Sequence, residues 1–135
     1  MSRRVIVHSL ADAEAALAAA AALKLPVTLQ SAPGAGAALG ALWWKALVAA
    51  ASAAHPGTQL DAVLDCGEEA GSVLAALRAG LTQLRFAGPA PVLAKLAAIA
   101  AASGARIEAA EPAPTLDLLD RPDAETAVKA FLQQA

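Results

Sequence analysis

Cysteine occurs once in this 135-residue chain, histidine twice and tyrosine never. The single thiol, Cys66, has no partner for an internal disulfide, which excludes a disulfide-stapled scaffold and favours a reducing compartment, the cytoplasm. His8 and His55 stand far apart with carboxylates scattered between them, so no metal-ligand spacing is present and no cofactor is expected. Charge is scarce as well: Asp, Glu, Lys and Arg make up 16% of the chain and leave a net charge of −2. Arg3-Arg4 is the only basic pair. With no basic run and no tyrosine to stack on bases, nucleic acid is not an expected partner.

Long apolar runs are missing too. Val5-Ile6-Val7 is interrupted by His8 and Asp12 and is too short for the core of a signal peptide. The alanine-rich stretches are broken by Lys24, Lys45 and Lys95, so no membrane span is expected.

What the chain has in abundance is alanine, which dominates an apolar share of 58%. Alanine costs little in a helix and is only weakly hydrophobic. The length suits one domain over residues 1–135 with its own core. The thin polar surface implies apolar surface left over for a partner.

Strand and helix signals alternate along the chain. Val5–His8 is a β-branched run, read as a strand. Ser9 with Asp12 three residues on resembles a capping box, opening a helix over Leu10–Leu23 that Pro26 stops. Val27–Gln30 is the second strand, and Ser31-Ala32-Pro33-Gly34-Ala35-Gly36 a turn. A second helix is expected over Ala37–Ala54, ended by His55-Pro56-Gly57. Asp61–Asp65 is the third strand. Ser72 is the expected cap of a third helix ending at Gly80. Leu84–Ala87 is the fourth strand; Pro89 and Pro91 lead into a helix that ends at Ser103-Gly104. Arg106–Ala109 is the fifth strand, and Glu111–Pro114 breaks the pattern. Thr115–Leu119 is apolar and reads as neither type. A last helix starts near Pro122, with Ala124, Ala127, Val128, Phe131 and Leu132 on one stripe and Glu125–Lys129 as a surface pair.

This alternation specifies an α/β fold: a single three-layer domain with a mostly parallel five-stranded sheet and a C-terminal helix. As a pattern it resembles flavodoxin-like domains, or part of a (β/α) barrel, with no family motif behind it. A flavodoxin-like order would be 2-1-3-4-5.

In such sheets ligands sit beyond the carboxyl ends of the strands, which selects candidates without a motif. They are His8, Ser9, Gln30, Ser31, Gly34, Gly36, Asp65, Cys66, Gly67, Glu68, Glu69, Gly88, Glu108 and Glu111. Asp65-Cys66-Gly67 places an acid and a thiol just before a helix, where a thiol can become nucleophilic. In a 2-1-3 order His8 would stand beside Cys66 as its base. Against this, a lone buried cysteine is usually a core residue, and Glu68 and Glu69 oppose a thiolate. Gly34-x-Gly36-x-x-x-Gly40 opens a helix and would let a small anionic ligand approach the backbone, although it lacks the P-loop lysine.

Two readings follow. The first is a homo-oligomeric small-ligand-binding or scaffold protein, with Ser9, Gln30, Ser31, Gly34, Gly36 and Gly67 as ligand-binding residues. The second is a small enzyme using His8, Asp65 and Cys66. For the homo-oligomer, the helix over Ala37–Ala54 is the expected contact. Leu39, Trp43, Ala46, Leu47 and Ala50 would face the sheet, leaving Trp44 and Val48 for a homodimer or, with equal weight, Trp44 for cover by the chain's own C-terminal segment.

Overall fold

The computed structural model describes residues 2–109 and 114–134. Its elements are β1 (Arg3–Val7), α1 (Leu10–Leu23), β2 (Val27–Ser31), α2 (Ala35–Ala38), α3 (Ala41–Ala54), β3 (Leu60–Asp65), α4 (Ala70–Arg78), β4 (Gln83–Arg85), α5 (Ala90–Ala102), β5 (Arg106–Glu108), β6 (Thr115–Asp117) and α6 (Ala124–Leu132). The α/β class and the parallel sheet are as expected. The sheet has six strands rather than five, hydrogen-bonded in the order β5-β4-β3-β2-β1-β6. The sixth is Thr115–Asp117, whose short apolar pattern fits either type of element. The order is sequential and not 2-1-3-4-5, so β2 stands between β1 and β3.

Local chemistry explains most element ends. Ser9 caps α1: its Oγ accepts from the Asp12 N–H at 3.1 Å, while Asp12 Oδ2 accepts from the His8 N–H at 2.9 Å. α1 ends with Lys24 in the left-handed region at φ 56°, and Pro26 prevents continuation. The helix expected over Ala37–Ala54 is broken in two, because Gly40 takes φ 90° between α2 and α3. α4 begins before Ser72, with Glu69 at the cap position.

The break at Gly40 resets the helical phase, and the faces expected of this helix hold only in part: Leu47 is buried as expected, while Leu39, Ala46 and Ala50 are exposed. Trp44 is 1% exposed and belongs to the core, together with Ala41, Leu47 and Ala51. Trp43 is half-buried, and Leu39 is 56% exposed instead of facing the sheet. Trp44 is therefore not available to a partner.

The chain forms two compact units. The first comprises Met1–Gln30, Ala46–Ala62 and Pro112–Ala135. There β1 pairs with β6, Arg4 opposite Thr115 and Ile6 opposite Asp117, and α1 packs against α6. Val5, Val7, Leu17, Val27, Leu29, Val128 and Phe131 are buried. α6 buries Val128, Phe131 and Leu132 of the stripe expected of it, with Ala124 and Ala127 half-buried, and Glu125–Lys129 pair at 3.3 Å.

The second unit comprises Ser31–Lys45 and Val63–Glu111. Its strands β3, β4 and β5 run in register, with Leu64 opposite Leu84 and Leu84 opposite Ile107. Leu64, Val73, Leu84, Phe86 and Leu96 are buried among α4, α5 and the strands. Each such side chain contributes about 2 kcal/mol through burial. Side chains alternate across a strand, so the opposite face carries a transverse row: Asp65 beside Arg85, and Arg85 beside Glu108.

Candidate functional site

In the second unit, the end of β3 carries a buried carboxylate. Asp65 is 1% exposed, and such a group is costly unless it is paired and hydrogen-bonded. Both oxygens have partners. Oδ1 accepts from the Gly34 N–H at 3.0 Å and the Gly67 N–H at 2.8 Å; Oδ2 accepts from Arg85 Nη1 at 2.8 Å. The Asp65 N–H donates to Ser31 Oγ at 2.9 Å. Gly34 and Gly67 both take positive φ, at 72° and 58°, which lets each loop turn its N–H inward. A side chain on Gly67 would stand 3.4 Å from Gly34 Cα. The two loops thus close on one carboxylate, and the anion held at Gly34 is the chain's own Asp65.

Arg85 enters this cluster from β4. Its side chain is 20% exposed. Nη1 goes to Asp65, whereas Nε is buried and has no hydrogen-bond partner among the described residues. Nε–H and Nη2 form the edge of a guanidinium that presents two parallel N–H groups, the geometry that grips a carboxylate or phosphate.

Cys66 lies beside the cluster and is fully buried. Gly36 is packed so closely that a Cβ there would stand 3.2 Å from Cys66 Sγ and 3.2 Å from the Asp65 carbonyl. Burial, aided by the neighbouring Asp65 charge, pushes the Cys66 thiol up to about 12. At neutral pH it stays protonated and is a poor nucleophile.

The first unit holds a different pair. His8 Nε2 and Asp117 Oδ1 are 2.6 Å apart, with side chains 22% and 48% exposed. The same Oδ1 accepts from the Leu119 N–H at 2.9 Å. Gln30 is fully buried, its Oε1 accepting from Arg4 Nη1 at 2.9 Å. Two hollows in this unit lie at the amino ends of β2 and β3. One of about 440 Å³ is lined by Lys24, Leu25, Pro26 and Gln59, and one of about 370 Å³ by Ser2, Val27 and Asp61. They open at the strand ends opposite to those expected to bind a ligand. The first offers one cation with Thr58 and Gln59; the second offers a hydroxyl and a carboxylate.

Of the expected residues, Ser31, Gly34, Gly67 and Asp65 come together around one carboxylate, and Gly36 packs on Cys66. Ser9 is a helix cap and Gln30 a buried partner of Arg4. His8 pairs with Asp117, and the strand order is not the 2-1-3 order on which its expected place beside Cys66 rested. Glu111 lies outside the described residues. Arg85 and Asp117 went unnoticed in the sequence. Both are charges within short apolar strands, and a charge there needs a partner.

No protein-family model matches the chain. No curated protein matches it either. Among solved structures it is similar to a Coccidioides immitis protein provisionally named a fructose-1,6-biphosphate aldolase, with a TM-score of 0.66 and 16% identity. What is shared is the fold. The similarity covers 94% of this chain and 52% of that one, so this chain spans about half the length of its structural relative. Among the described residues no group of three His, Cys, Asp or Glu side chains could hold a metal ion, and no helix is long and apolar enough to cross a membrane.

Proposed function

We propose that this chain is a small-ligand-binding protein whose site lies at the carboxyl ends of β3, β4 and β5 and recognises an oxyanion, carboxylate or phosphate, through Arg85. The observation that carries this reading is the state of the Arg85 guanidinium. One nitrogen is anchored on a buried carboxylate, while Nε, on the bidentate edge, is itself buried and lacks a partner, in a side chain that elsewhere reaches solvent. Asp65 then has a positioning role: held by two loop N–H groups, it fixes Arg85 at the strand end. A reducing cytoplasm suits the single buried thiol. The enzyme reading has less support, since Cys66 is closed off by Gly36 and both Asp65 oxygens already accept hydrogen bonds.

The test is an NMR titration with inorganic phosphate and with succinate, following the Arg85 Nε–H resonance. A shift that saturates, and its loss in Arg85→Lys, is the expected result. An unmoved resonance up to about 50 mM, well past the millimolar affinity of a single charge-assisted contact, would refute the reading.

A further inference from the structure

The ionic groups of the second unit are sorted by end. Its described carboxylates, Asp65, Glu68, Glu69 and Glu108, all lie at the carboxyl ends of β3 and β5 or in the loop that follows β3. Among the described residues of this unit, Arg85 is the one cation at that end. Lys45 donates to the Ala79 carbonyl at 2.8 Å, in the turn that leads into β4. Arg78 is in the last turn of α4, and Arg106 opens β5. These three stand toward the amino ends of the strands. Lys95 lies between, exposed in the second turn of α5. Arg85 is therefore a lone cation at an acidic rim, and its own charge is already matched by the buried Asp65. Two of the acids have a local reason to be there: Glu68 and Glu69 directly precede α4, whose N-terminus favours negative charge. Glu108 ends a strand instead. The register sets it directly beside Arg85, on the adjacent strand about 4.8 Å away, and on the same face of the sheet.

We propose, resting on the oxyanion reading of Arg85, that the ligand is a small zwitterion: its carboxylate meets the Nε–Nη2 edge of Arg85, and its ammonium meets Glu108. Charge decides between the oxyanions that Arg85 alone would accept. A phosphate dianion adds two negative charges to a rim that already has more acids than bases. A simple carboxylate gains Arg85 but meets the Glu108 charge one strand away. An ammonium on the same ligand turns that repulsion into attraction and leaves the net charge of the rim unchanged. Glu108 is half-buried, and a carboxylate has lone pairs for several donors, so it can accept from an ammonium without giving up a contact within the chain. A carboxylate and an ammonium joined by two methylenes span a distance comparable to that between neighbouring strands. Glu108 is thus the residue that sets specificity, and Arg85 the one that anchors.

The test is a matched pair of probes, β-alanine and propionate, which differ only in the ammonium. Each is titrated into the full chain at neutral pH, with the Arg85 Nε–H resonance as readout and inorganic phosphate as a third probe. Both carboxylates are expected to move the resonance, with β-alanine binding about fivefold tighter, the gain of one ion pair in contact with solvent. In Glu108→Gln that ratio is expected to fall to about one while propionate still binds; in Glu68→Gln it is expected to persist. Equal affinities for the two probes in wild type would overturn the zwitterion and leave the oxyanion reading standing. Phosphate binding tighter than β-alanine would do the same, as would a ratio that survives in Glu108→Gln. A resonance moved by none of the three would overturn both. The wild-type ratio decides by itself if Glu108→Gln does not fold.

Discussion

Asp65 with Arg85 and His8 with Asp117 are the same kind of contact in different surroundings. Both join an acid to a base near the carboxyl ends of neighbouring strands, at 2.8 Å and 2.6 Å. The shorter contact is the more exposed one. Asp65 is out of water and gathers two backbone amides and a guanidinium; Asp117 is half in water and holds one backbone amide besides His8. Distance alone therefore says little about what either pair contributes. Burial decides, because a buried charge left without its partner cannot fall back on solvent.

Three changes sharpen that contrast. The largest effect is expected from removing the buried acid. Asp65→Ala leaves Arg85 and two loop amides without an acceptor and should cost about 3–5 kcal/mol in urea unfolding, at the lower end because Arg85 touches solvent. Asp65→Asn, which keeps an oxygen for the amides, should cost less. If the two variants were equally destabilised, the amide contacts would not be the part that matters.

The second change uses pH. The Cys66 thiol is pushed up from 9.0 to about 12 in the folded chain. A proton held more tightly when folded stabilises the fold fully below pH 9 and progressively less as pH rises toward 12. Between those values stability should fall by about 1.4 kcal/mol per pH unit from this group alone. Cys66→Ala should lack that part of the slope, so the wild-type and variant curves converge or cross above pH 9. Parallel curves from pH 8 to 11 would contradict the burial of the thiol.

The smallest effect belongs to the exposed pair. Asp117→Asn should change stability by less than about 1 kcal/mol, and less again at high salt. A loss as large as that of Asp65→Ala would erase the distinction between the two regions.

Much of the fold was legible in the sequence because it rests on local chemistry. The Ser9–Asp12 capping arrangement, the stop at Pro26 and the buried stripe Val128, Phe131 and Leu132 need only near neighbours. Strand order was not legible, since a parallel strand's partner is set by packing at a distance. Leu39 was expected on the buried side with Trp43 for a specific reason. In an unbroken helix Leu39 and Trp43 share a side, and one glycine at φ 90° removes that relation. The site was half legible. Position alone picked out Asp65 and the glycines around it. Arg85 was passed over because the strand around it, Leu84 to Ala87, reads as apolar. A charge in such a run is itself a signal, and pairing it with the other strand-end charge, Asp65, would have found the cluster.

The strands at the two margins of the sheet carry a further consequence. β5 and β6 are each three residues long, and both end in a carboxylate, Glu108 and Asp117. A sheet margin is where a foreign strand would dock and where fibrous assembly begins. In a chain this rich in alanine and this poor in charge, short margins that end in acids give an incoming strand few rungs to pair with and repulsion at the last one. Replacing Glu108 or Asp117 with valine should show itself first as turbidity on storage rather than as a lower melting temperature.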